Sequence, residues 1–160
     1  MLAFGDIAYV TFLYPLSALY LIDHSPDWPT AAFGLVAVVG GFAYYAFRES
    51  NVERNDFKLG LLKNAKSITM TRFDGSRTEY LVSGWSALAR RPNYWPDLLN
   101  ATSYSLCTGF TSIIAWIYPI LFFVLLTHRQ HRLEEKGRLT YRNWSDFVKA
   151  VPYRYLPYLI

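Results

Sequence analysis

All 16 lysines and arginines of this 160-residue sequence lie between Arg48 and Arg154, so the first 47 residues hold no cation. The charges in that stretch are three acids, Asp6, Asp23 and Asp27, set among long apolar runs. Soluble domains carry about a quarter of their residues as charges. Here charged residues are 18% and apolar residues 52%. Aromatics at 18% exclude a disordered chain. One cysteine, Cys107, excludes a disulfide framework and any cysteine-based zinc or iron–sulfur centre. The pattern is that of a membrane protein.

Residues 4–22 run nineteen residues with one charge, and residues 30–47 run eighteen with none. Each meets the ~17–25 residues that a helix needs to cross a ~30 Å hydrocarbon core. Neither reads as a signal peptide, because a basic leading segment is lacking. The DHSPDWP link between them carries Pro26, Pro29 and Trp28, as expected of an interfacial turn. Residues 98–127 are again uncharged. As one helix they would extend ~45 Å, too long for the bilayer. They are read as two short helices, 98–109 and 112–127, breaking at Thr108-Gly109, with Pro119 kinking the second. The fold class expected is therefore all-α, a single membrane domain over 1–160 with four transmembrane helices.

Two polar segments complete the chain, a 48–97 loop and a tail from His128 to the end. In the loop, Ile68–Arg72 and Thr78–Val82 flank FDGSR and predict a β-hairpin turning at Asp74-Gly75. Because loop and tail hold every cation, both are expected to face the cytoplasm, with the 23–29 link opposite. A nucleic-acid partner is not expected, since the cations border membrane spans and no recognition motif occurs. The plain reading of any one cation is topological. The sharper reading is an anionic ligand, such as a dinucleotide phosphate, at the cytoplasmic face.

Four ordered segments carry a resemblance: FLYPLSALYLIDH (Phe12–His24), AYYAFRESNVERNDFK (Ala43–Lys58), LVSGWSALARRPNYWPDLL (Leu81–Leu99) and the closing HRQHRLEEKGRLTYRNWSDFVKAVPYRYLPYLI. Together they resemble the ergosterol-pathway sterol reductases, meaning the C14, C7 and C24(28) reductases and the lamin B receptor. That resemblance implies a multi-pass membrane enzyme of sterol biosynthesis, in the endoplasmic reticulum membrane of a eukaryote or the inner membrane of a bacterium. It implies a sterol substrate and NADPH as hydride donor. Family members are two to three times longer, so the chain is expected to be the cofactor-binding part, with a helical N-terminal half elsewhere. The 160-residue chain is then expected not to reduce sterols alone, and no catalytic residue is assigned.

The resemblance also implies cofactor-binding residues: Arg54 and Lys58 for phosphate, Leu81, Trp85, Asn93, Tyr94 and Asp97 in the SGW segment, and Arg129 and Tyr141 in the tail. Simpler readings stand beside these, namely solvated cations, an interfacial Trp85, and a helix-start carboxylate at Asp97. The sequence departs from the family pattern at Arg91 (His), Leu133 (Asp), Pro96 (Gly) and Phe147 (Tyr), and lacks one residue between Tyr141 and Trp144. Two alternatives remain open. One is a small isoprenylcysteine-type methyltransferase using S-adenosylmethionine, which ARRPNY and RLEE resemble. The other is a non-catalytic binding protein.

Overall fold

The computed structural model of the chain describes residue 13 and residues 15–24 and 26–159. The described part is mostly helical. Its elements are α1 (Leu16–Asp23), α2 (Thr30–Lys58), β1 (Ser67–Thr71), β2 (Arg77–Leu81), α3 (Trp85–Leu88), α4 (Tyr94–Leu106), a 3₁₀ turn at Ile114–Trp116, α5 (Ile117–Thr140) and α6 (Trp144–Ala150). They fall into two compact units, Met1–Tyr44 with Asp97–Leu125 and Tyr45–Pro96 with Leu126–Ile160.

The first unit turns small polar side chains inward and large apolar ones outward. Ser17 and Ser105 are buried with their hydroxyls 3.2 Å apart, and both donate to the Ala115 carbonyl, at 3.0 and 2.6 Å. Buried Thr108 donates to Ser105 O at 2.7 Å, and Trp116 Nε1 to Gly109 O at 2.9 Å. Leu35, Val38, Ile113 and Val124 meanwhile stand exposed. This inside-out arrangement suits lipid, where small residues and hydroxyl bonds join helices. A Cβ on Gly40 would stand 3.0 Å from Ser103 Oγ, so that glycine lets two backbones approach.

Helix bounds differ from the expected spans in instructive ways. Residues 4–12 of the first span lie outside the described residues; its second half gives α1. The 30–47 span continues about three more turns, since nothing between Arg48 and Lys58 breaks a helix. It closes at Gly60, φ 73°, with Leu61 N–H donating to Asp56 O and Gly60 N–H to Phe57 O, the double bond of a Schellman cap. The break near Thr108-Gly109 is present, with Gly109 at φ 69°. The 112–127 span starts later, as α5, and runs on through charged residues to Thr140. Pro119 therefore lies in the first turn of α5, where its missing N–H leaves no bond unmade. It opens that helix rather than kinking it. Among the described helices, α2 is the one long and apolar enough to cross a membrane.

The second unit is built on the hairpin. Asp74 Oδ1 accepts from Ser76 N at 2.8 Å and Gly75 takes φ 85°, so Asp-Gly makes the turn as predicted, with the strands one residue earlier. The outer edge of β1 is not left open. Thr71 N donates to Asn143 Oδ1, Asn143 Nδ2 donates to Thr69 O, and Arg142 N donates to Thr71 O, all at 2.8–2.9 Å. This seam seats the hairpin on a core of Met70, Tyr141, Phe147 and Val151, with Tyr80 and Trp144 packed against it.

Candidate functional site

Within the second unit a cavity of about 240 Å³ opens between α2, the hairpin, the Arg90–Arg91 segment, α5 and α6. Its lining includes Arg54, Arg72, Arg90, Arg91 and Lys136, faced by one carboxylate, Glu134. That carboxylate is already committed. Arg90 Nε donates to Glu134 Oε1 at 2.7 Å, and Gln130 Nε2 donates to the same oxygen at 2.8 Å. Arg90 Nη1 reaches the carbonyls of Val151 and Pro152 at 2.7 and 2.9 Å. Arg90 and Glu134 are 8% and 6% exposed, so the pair is a dry clamp tying α5 to the chain's closing segment. Backbone bonds reinforce it: Arg90 N–H to Tyr153 O and Arg91 N–H to Arg154 O, both 2.9 Å.

With Glu134 used, no other cation among the described residues has a carboxylate within ion-pair distance. Burial, and then the positive charge of Arg91, hold the Arg54 guanidinium below its ordinary value. Two like charges share a partly dry wall, which favours an anion between them. On the hairpin side Tyr80 and Tyr141 place their hydroxyls 3.1 Å apart. Burial, helped by that bond, pushes the Tyr80 phenol up to about 12. Tyr141's own burial opposes ionisation, but its bonds to Tyr80 and Arg72 draw it below its usual value.

Glycine fixes two parts of this unit. Gly84 holds φ 60° before α3, and a Cβ there would collide with the Glu53 carboxylate. Glu53 in turn accepts the N–H groups of Trp85 and Ser86, both at 3.2 Å. The SGW and NVERNDFK segments are thus one construction, a carboxylate at a short helix start. At Gly137 a Cβ would come 2.5–2.6 Å from three carbons of the Trp144 indole, so α5 is notched to seat that ring.

The sequence profile of the ergosterol biosynthesis ERG4/ERG24 family matches residues 1–160. The chain belongs to that family. It is 39% identical to a Delta(14)-sterol reductase of Saccharomyces cerevisiae over 99% of the chain and 36% of that protein. It is 35% identical to a mouse Delta(14)-sterol reductase over 99% of the chain and 38% of that protein, and 35% identical to one from Gallus gallus over 98% and 25%. The chain thus spans a quarter to two-fifths of the length of these relatives.

Against the family pattern, three of the departures noted above, Arg91, Leu133 and Phe147, line this one cavity beside Arg54 and Tyr141. The other residues expected to bind cofactor are spread around it. Lys58 lines a second cavity, of about 420 Å³, with Phe57, Lys63 and Glu79. Leu81 is buried at the end of β2, paired with Ser67. Trp85 opens α3, its ring 6.3 Å from Trp95. Asn93 has a buried Oδ1 without a partner. Tyr94 is buried, with the exposed Arg129 guanidinium 6.0 Å above its ring. Asp97 falls in the first unit, in the first turn of α4. Sequence reasoning missed Arg72, Tyr80, Gln130, Lys136 and Trp144. Gln130, Leu133, Glu134, Gly137 and Tyr141 do form a three-and-four-spaced stripe, visible only once the tail is read as helix.

Proposed function

We propose that the chain is the NADPH-binding part of a sterol double-bond reductase, of the C14 type its relatives' names carry. The observation that carries this is the cationic cavity, where Arg54 and Arg91 stand beside aromatic walls with no ion-pair partner. The 2′-phosphate of NADPH supplies that charge, and two guanidinium forks suit its oxygens. The cavity is smaller than the ~300–1,000 Å³ usual for a whole ligand. It therefore takes one end of the dinucleotide, with Asn93, Tyr94 and Trp85 meeting the remainder. When bound, NADPH supplies hydride to the sterol; the residues here hold and orient the cofactor and keep water from it. Leu133 and Phe147 put apolar surface where the family pattern has an acid and a hydroxyl, which leaves the cavity more positive.

The same reading makes the chain multi-pass, with α2 crossing once and residues 4–22 and 98–127 supplying the other three passages. It belongs in the endoplasmic reticulum membrane if eukaryotic, with a sterol in the bilayer as substrate and further helices completing the pocket. Calorimetry on the purified chain in detergent with NADPH, NADH and S-adenosylmethionine is the test. NADPH should bind best. Binding of S-adenosylmethionine alone would favour a methyltransferase, and no binding of any of the three would leave a non-catalytic role.

A further inference from the structure

We propose that Gln130 and Trp144 form a donor–acceptor reading pair for a ligand edge that carries an amino group beside an acceptor. This rests on the nucleotide reading above. Gln130 is 3% exposed, and its Nε2 donates to Glu134 Oε1. A carboxylate paired with Arg90 can only accept, so the amide cannot be turned over. Its Oε1 is buried without a partner, and so is the Trp144 Nε1–H. Both residues line the same cavity. Buried polar atoms are nearly always paired, so an orphaned acceptor and an orphaned donor on one cavity ask for a matching ligand.

Neither group is free to turn away. Trp144 sits in the Gly137 notch, stacked on Tyr141 with ring centres 6.2 Å apart and against Phe147 at 5.4 Å. Gln130 is held by the glutamate that the Arg90 clamp fixes. A pair this rigid reads by hydrogen-bond pattern, because a ligand with the wrong pattern leaves both atoms unpaired. The ligand must donate to Gln130 and accept from Trp144. A nicotinamide dinucleotide offers that pattern at two places, the adenine amino edge and the carboxamide. The chemistry is shared, and analogues separate the sources.

Dissociation constants are measured on the full chain in detergent for NADPH, its hypoxanthine analogue and its acetylpyridine analogue. Hypoxanthine reverses the adenine pattern; acetylpyridine removes the carboxamide amine. The wild-type chain should bind one analogue about tenfold more weakly than NADPH, and that analogue names the edge read. In Gln130→Met the penalty should vanish for the acetylpyridine analogue and shrink for the hypoxanthine analogue, whose N1–H still opposes the Trp144 N–H. Trp144→benzothienylalanine, an isostere that keeps the fused ring and puts sulfur in place of the N–H, should weaken NADPH about tenfold, and it decides alone if Gln130→Met does not fold. Equal binding of NADPH and both analogues by the wild type, or unaltered NADPH binding by Trp144→benzothienylalanine, overturns the pair and leaves the nucleotide reading intact. A wild type that binds no NADPH removes both.

Discussion

Arg90 does at the residue level what no surface cation in this chain does. Its guanidinium is buried and satisfied by Glu134 and two carbonyls, so removing it leaves a buried carboxylate without its ion-pair partner, held by the Gln130 amide. Breaking such a pair costs ~3–5 kcal/mol, whereas replacing both members with apolar residues is often close to neutral. Arg90→Ala should therefore lower the unfolding midpoint sharply, and Arg90→Met with Glu134→Leu should recover much of it. A second residue-level expectation concerns Tyr80. Its phenol, raised from 10.0 to about 12, keeps its proton in the folded chain after an unfolded one has lost it. Stability from this group is intact below about pH 10 and falls as pH rises toward 12. Carbon-13 tyrosine spectra should show no Tyr80 titration below pH 11, and Tyr141→Phe should bring the midpoint down. Neither residue is legible as special in the sequence, because Arg90 and Tyr80 acquire their partners from 44 and 61 positions away.

At the scale of elements, local chemistry was readable and long-range assembly was not. Asp74-Gly75 announces its turn because Asx bonding and a left-handed glycine are properties of neighbouring residues. The uncharged runs announce helices for the same reason. The lengths of α2 and α5 were hidden, since their polar ends show no apolar stripe of their own and gain theirs only by packing around the cavity. The seam between β1 and Asn143 is likewise invisible until the hairpin is docked. Asn143→Ala deletes both of its bonds to β1 and should destabilise the second unit by ~1–3 kcal/mol, read by thermal unfolding. Gly84→Ala should cost at least the ~1–2 kcal/mol of a left-handed backbone, and more because its Cβ displaces Glu53 from α3. Hydrogen exchange at the Trp85 and Ser86 amides should then quicken, while that of the hairpin stays unchanged.

For the whole molecule, one asymmetry organises the rest. Cations absent from residues 1–47 and from 98–127 collect in the second unit, where five of them line the cavity. Of the expected cofactor residues, Arg54 and Tyr141 meet there. Lys58 does not, since one turn along α2 carries it ~6 Å on, to the helix end at Gly60. Cysteines placed at Ser76 and Ser145 should label from the cytoplasmic side, and one in the 23–29 link from the other. The central claim is that Arg54 and Arg91 receive the phosphate that distinguishes NADPH from NADH. Titrating both cofactors against the wild-type chain and Arg54→Ala with Arg91→Ala tests it directly. A charge-assisted phosphate contact is worth ~1.5–3 kcal/mol, so NADPH should weaken about tenfold to a hundredfold while NADH hardly changes. Equal weakening of the two, or none of either, would contradict it.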